Sequence, residues 1–141
     1  MTLKELLNKG DRFAASNGMQ ITEIREGYAK AEMTVEERHL NGGGVCQGGA
    51  MFTLADLAFA AVTNSHGLLT LGVQNSITYV HSAMLGDHLT AEAIETVNHQ
   101  KLPYSTMTVR NQKDEVICIV TGMAYRKKAP MEYEGLDELT N

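Results

Sequence analysis

Residues 41–62 limit what this chain can fold into more than any other stretch. Asn41-Gly-Gly-Gly-Val-Cys-Gln-Gly-Gly49 runs directly into Ala50-Met-Phe-Thr-Leu-Ala-Asp-Leu-Ala-Phe-Ala-Ala-Val62. An apolar run of that length exceeds a usual strand and contains no turn signal, and Ala and Leu, both good helix formers, dominate it. It therefore predicts a helix starting at the end of the glycine loop. A helix that is apolar all round is normally buried. Within it Thr53 and Asp56 are the polar side chains, and Asp56 carries the charge. An unpaired buried charge is very costly, so Asp56 must find a partner, take up a proton or face a cavity. Thr53, Asp56, Ala60 and Thr63 share one narrow stripe at helical spacing.

The flanking sequence reads as strands. Leu3 to about Asn17 predicts one N-terminal helix, with Thr2 and Glu5 forming a capping box and Leu3, Leu6, Leu7 and Phe13 its apolar face. Met19 to Ile24 and Tyr28 to Val35 alternate about an Arg25-Glu-Gly27 turn, which predicts a hairpin. Beyond a helix stop at Ser65-His-Gly67, strands are expected over 69–80, 89–97, 104–110 and 116–125, the last apolar on both faces like a central strand. From Lys127 onward the periodicity fades into a loose acidic tail. The layout is α+β: one domain over 1–141, with its core at about 17–127, in which an antiparallel sheet covers one long helix. Such a sheet leaves edges open, so a homo-oligomer is expected, a dimer or a dimer of dimers.

Several function classes drop out on composition. A formal net charge of −5 argues against a nucleic-acid surface, which needs a concentrated basic patch. No run approaches the length of a membrane span, and charges interrupt Met1 to Asn8 where a signal peptide needs an apolar core. A cytoplasmic protein is the expectation. Cys46 and Cys118 are too few and too far apart for a disulfide framework, and reduced thiols are expected. The five histidines show no metal-ligand spacing, so no metal is expected; His39 and His81 fall nearest the glycine loop.

Asn41, Gln47-Gly48-Gly49 and the Leu54-Ala-Asp56-Leu-Ala-Phe helix together resemble the hotdog-fold acyl-CoA thioesterases, in particular the PaaI-like branch of phenylacetic acid degradation. That family places an Asn, then six residues on a His-Gly-Gly, then nine residues after the His an Asp. All three spacings hold, and Asn75 to Val80 and the Leu85-Gly-Asp87 turn extend the resemblance over roughly 17–127. It implies a hotdog fold and hydrolysis of acyl-CoA thioesters, with no cofactor beyond the coenzyme A of the substrate, at a site shared by two subunits. One departure is plain: the family's His is Gln47 here. Gln can donate and accept hydrogen bonds, but it cannot shuttle protons near neutral pH.

The residues suit that chemistry on their own terms. Backbone N–H groups at a helix N-terminus stabilise an oxyanion, and Gly48 and Gly49 stand at such a terminus with no side chain to hold a carbonyl away. Asp56 in apolar surroundings suits a general base or a direct nucleophile, although the helix alone equally allows a structural carboxylate or an interface ion pair. Asn41 is a candidate for orienting the water or the thioester oxygen, and Gln47 stands beside it. Cys46 reads as a small buried hydrophobe rather than a nucleophile. Arg126, Lys127 and Lys128 offer cations for coenzyme A phosphates. Gly48 and Asp56 lie about 12 Å apart along one helix, too far for one carbonyl within one chain. The alternatives are an acyl-carrier-protein thioesterase on the same site, or a non-catalytic acyl-CoA-binding module in which Gln47 marks a decayed site.

Overall fold

The structure, a computed structural model, describes residues 1–130. Thr2 caps the first helix, α1 (Leu3–Gly10). The Thr2 hydroxyl accepts from the Glu5 N–H, and the Glu5 carboxylate accepts from the Thr2 N–H, both at 3.2 Å. The expected capping box is present. The single N-terminal helix is not. Asp11 ends α1 by donating its N–H to Leu7 and starts α2 (Arg12–Ser16) by accepting from the Ala14 N–H at 3.0 Å. One residue thus serves as stop and start, which resets the helical phase: Ala14 turns inward, and Phe13, expected on the buried face, is 67% exposed.

β1 (Gln20–Arg25) and β2 (Tyr28–Thr34) form the expected hairpin, turning through Gly27 at φ +78. After a short 3-10 turn at Glu37–His39 and the glycine loop comes α3 (Gly48–Thr63). β3 (Leu68–Tyr79), β4 (His88–Val97), β5 (Tyr104–Arg110) and β6 (Val116–Pro130) complete the described residues. Among the described residues six strands make one antiparallel sheet in the order β1-β2-β4-β5-β6-β3. This is the hotdog arrangement. β6 does not end near Tyr125 in a loose tail. Its ladder with β3 continues to the Leu68–Pro130 pair, so Lys127 and Lys128 are strand residues. The rest of the expected tail, 131–141, lies outside the described residues.

α3 packs against the inner face of the sheet, chiefly on β2 and β4. There Ala29 pairs with Ala93 and Ala31 with Ala91, all fully buried. This carpet of methyl groups lets the helix approach closely while Leu54, Leu57, Phe59 and Val62 fill the space on either side. At roughly 25 cal/mol per Å² of apolar area removed from water, burying that layer favours the fold. At the far edge, β3 pairs on one side with β6, and Leu71, Val73 and Tyr79 are about half exposed. No described helix is long and apolar enough to cross a membrane.

Candidate active site

The glycine loop is held from within by Asn41. Its side-chain Oδ1 accepts from the N–H of Gly43 at 2.9 Å and of Val45 at 3.3 Å, while its backbone N–H donates to the Val45 carbonyl at 2.8 Å. The acceptor end of the Asn41 amide, a candidate for orienting water, is therefore committed to its own loop. His39 anchors the loop from behind and is 3% exposed. Nδ1 accepts from the Glu36 N–H at 2.9 Å, so Nε2 carries the proton and donates to the Asn17 carbonyl, also at 2.9 Å. The His39 carbonyl accepts from the Gln47 N–H at 2.7 Å. His39 thus joins α2, the 3-10 turn and the start of α3, which is a structural task. His81 is exposed and lies at the rim of the adjacent cleft.

Gly48 and Gly49 open α3, so their N–H groups have no acceptor within the helix. Each is glycine for a reason of space. A Cβ on Gly49 would stand 2.5 Å from Gln47 Oε1, so the Gln47 side chain lies back over the helix start. A Cβ on Gly48 would stand 2.7 Å from the Tyr79 hydroxyl. Gly48, Tyr79, Asn41 and His81 border one cleft of about 400 Å³. Desolvation, with Cys118 adding, raises the Tyr79 hydroxyl above its ordinary value, which keeps it a neutral donor beside those N–H groups.

Asp56 stands two turns further along α3, on the expected stripe. The stripe is not enclosed: in the single chain Asp56 is exposed, and it opens into a shallow groove with Phe59, Ala60, Thr63, Asn64 and Gly72. Its neighbours on the stripe use their hydroxyls inside the helix, Thr53 donating to the Gly49 carbonyl and Thr63 to that of Phe59, both at 2.8 Å. Among the described residues Asp56 has neither hydrogen bond nor ion pair. Desolvation by the apolar wall raises its carboxyl, and the charge of Asp11 adds to this. The result is an unpartnered carboxylate that holds a proton more readily than usual.

Arg126 is largely buried and engaged within the sheet, although it also lines the cleft that Lys127 and Lys128 border. It is 8% exposed. Nη1 donates to Asn98 Oδ1 at 2.9 Å and to the His99 carbonyl at 3.2 Å, and Nη2 lies 3.7 Å from Glu95 Oε2. The alternation along β6 turns it inward with Ala124, where it offsets a buried carboxylate. Lys127 and Lys128 are exposed. They border a cleft of about 780 Å³ with Gln100, Lys101, Tyr125 and Arg126, and Lys101 Nζ sits 6.0 Å from the centre of the Tyr125 ring. Sequence reasoning missed Lys101 and Tyr79: β3 carries Tyr79 to the head of α3, and the Arg126 N–H, donating to the Lys101 carbonyl at 2.8 Å, holds the β4–β5 loop beside β6. Cys46 is buried, and burial pushes its thiol up to about 11, which suits a packing residue and not a nucleophile.

The sequence model of the thioesterase superfamily matches residues 43–118. A putative esterase of Archaeoglobus fulgidus is 43% identical over 88% of this chain and 80% of its own length. The acyl-coenzyme A thioesterase PaaI of Escherichia coli is 34% identical over 84% of each chain. The solved structure of the E. coli PaaI protein superimposes with a TM-score of 0.86 at 30% identity, covering 89% of this chain and 91% of that one. A hypothetical thioesterase of Streptococcus pneumoniae, solved with coenzyme A, gives a TM-score of 0.76 at 25% identity over 82% of this chain and 92% of its own.

Proposed function

This chain belongs to the thioesterase superfamily, on a hotdog fold of the PaaI-like kind, and on that premise we propose that it hydrolyses acyl-CoA thioesters to the free acid and coenzyme A. One observation carries the reading. The unpaired N–H groups of Gly48 and Gly49 lie on the same helix as the unpartnered carboxylate of Asp56, eight residues after Gly48. Along the axis that is about 12 Å, so a single carbonyl is served by the helix start of one subunit and the Asp56 of another. The half-exposed edge of β3, which runs beside both features, is the surface on which a second copy would close the site.

In the reaction, Asp56 takes a proton from water as the water oxygen bonds to the thioester carbon. The oxyanion of the tetrahedral intermediate accepts hydrogen bonds from the N–H groups of Gly48 and Gly49, supported by the helix dipole. The C–S bond then breaks and the electron pair leaves with sulfur. Asp56 attacking the carbonyl directly is the alternative first step. Gln47 can hydrogen-bond the substrate without joining the proton transfer. Lys127, Lys128 and Lys101 supply cations for the phosphates of the coenzyme A moiety, while Arg126 is occupied inside the sheet. No cofactor enters the scheme, and the cytoplasm, where acyl-CoA is made and used, is the compartment it fits.

The test is free-thiol release from short-chain, long-chain and aromatic acyl-CoAs by wild type and Asp56→Asn together. Turnover by wild type with a loss of about a hundredfold or more in the variant supports hydrolysis with Asp56 as base or nucleophile. Equal rates in both overturn it and leave an acyl-CoA-binding module, which Gln47 in place of the family His favours.

A further inference from the structure

The buried side-chain nitrogen and oxygen atoms that lack a hydrogen-bond partner among the described residues are Asn75 Oδ1, Glu95 Oε2, Ser105 Oγ, Arg126 Nε and Arg126 Nη2. They are not scattered. Register sets Glu95 opposite Ser105, Ser105 opposite Gly122 and Gly122 opposite Asn75, so one row crosses β4, β5, β6 and β3. Arg126 follows Gly122 on the same face of β6 and reaches toward Glu95. Folded chains rarely leave such atoms dry, and water or a ligand normally completes them. At its inner end the row is an ion pair. At its outer end it is Asn75, on the edge strand.

Asn75 occupies a place made for it. The space a Gly122 side chain would fill is taken by Asn75 Oδ1 and by Phe59 Cζ, the latter 2.8 Å from the Cβ position. Asn75 Nδ2 lies 3.9 Å from the Cβ position of Gly72, and Gly72 and Phe59 are walls of the groove into which Asp56 opens. The amide therefore has its acceptor inward and unpartnered, while its donor end lies beside Gly72 and Phe59, two residues that wall the Asp56 groove. An arrangement that sacrifices the acceptor calls for a use of the donor.

We propose that Asn75 is a positioning residue for the hydrolytic water; this rests on the hydrolysis reading above. Nδ2 donates one hydrogen bond to the water oxygen, and the water donates one hydrogen to Asp56. Its remaining lone pair is then directed at the thioester carbon. Asp56 receives the proton as the C–O bond forms, and the C–S bond breaks with its electron pair going to sulfur. The neutral amide orients the water without competing for the proton. Asn41, the earlier candidate for orienting water, keeps its acceptor within its own loop and borders the Gly48 cleft, whereas the Asp56 groove is lined by other residues.

The experiment compares wild type with Asn75→Leu, which keeps the bulk and removes both ends of the amide, and with Asn75→Ser, which restores a donor. A positioning role predicts that kcat falls about tenfold or more in Asn75→Leu with KM unchanged, and that Asn75→Ser recovers part of it. A merely structural amide predicts the reverse: the apolar variant melts higher, having lost an unsatisfied polar group, and kcat stays within twofold of wild type. That outcome overturns the proposal. High-resolution crystal structures of wild type and Asn75→Leu decide the geometry even if no acyl-CoA is turned over. A water bridging Asn75 Nδ2 and Asp56, absent from the variant, supports the proposal, and its absence from wild type overturns it. A wild type that holds this water yet releases no thiol instead counts against the hydrolysis reading.

Discussion

The Tyr79 hydroxyl stands 2.7 Å from where a Cβ on Gly48 would be, and its ring carbon Cζ 2.8 Å. The glycine at the head of α3 is therefore required by a side chain from the end of β3, more than by any backbone conformation. Gly48→Ala forces Tyr79 to move over the N–H groups that are to bind the oxyanion. The expected result is a fall in kcat of about a hundredfold with little change in melting temperature, since Ala is a good helix former. Adding Tyr79→Ala should recover part of the rate, whereas Tyr79→Phe should not, because the ring remains. Steady-state kinetics of the three variants check this.

The raised Asp56 carboxyl has two consequences with opposite readouts. As a base it works deprotonated, so kcat should fall on the acid side with a midpoint above the ordinary carboxylate value of about 3.9, a limb that Asp56→Asn removes along with the rate. In stability the sign is the reverse. The folded carboxyl binds its proton more tightly than the unfolded one, so between the ordinary and the raised value the native state holds more protons and loses stability as pH rises. Asp56→Asn should melt higher than wild type at pH 7, the gap closing on acidification. Thermal melts across pH decide this, and a gap that widens in acid would contradict it.

Adjacent cations on β6 should respond in different observables. Arg126→Ala strands the Glu95 carboxylate, whose side chain is 5% exposed, with His66 Nε2 at 2.8 Å as its remaining partner. The expected cost is on the order of 3 kcal/mol of stability, read from denaturant melts, with the KM of the surviving protein unchanged. Lys127→Ala with Lys128→Ala should leave the melt alone and raise the KM for acyl-CoA several-fold, an effect that added salt diminishes.

Burial pushes Cys46 up to about 11 and Cys118 up to about 12. At pH 8 both are therefore thiols and not thiolates, and the thiolate is the reactive form. A colourimetric thiol reagent should react negligibly with native protein and with both cysteines once the chain is unfolded. Cys46→Ser should keep its thioesterase rate, and a large loss would reopen Cys46 as a reacting group.

The sequence carries those parts of the fold that depend on local pattern. Tyr28 to Val35 alternates cleanly enough to fix its buried face, and the Thr2–Glu5 box and the apolar length of α3 are equally local signals. Asp11 misleads because a polar residue inside a helical stretch resembles a solvated position, while its carboxylate and its N–H in fact split the helix. Lys127 and Lys128 resemble the start of a tail because a charge run hides the ladder that β3 supplies from some sixty residues away. The same limit applies at the site. Gly48, Gly49 and Asp56 are fixed relative to one another by one helix, and their spacing is legible. Tyr79 and Asn75 reach their places through pairing of distant strands, and Lys101 through a loop that β6 holds from afar, which leaves no local trace. Arg126 falls between: its inward phase could have been read from Val120, Gly122 and Ala124, but its partner Glu95 could not.

The distance from Gly48 to Asp56 along α3 has a genetic consequence. If each reaction centre draws its N–H donors from one chain and its carboxylate from the other, the two lesions Gly48→Ala and Asp56→Asn complement. Alone, each variant disables both centres of its homodimer. Mixed and reassembled, the two chains place both lesions in one centre and leave the other intact, so two inactive preparations together regain activity that neither has. A site lying wholly within one chain admits no such rescue.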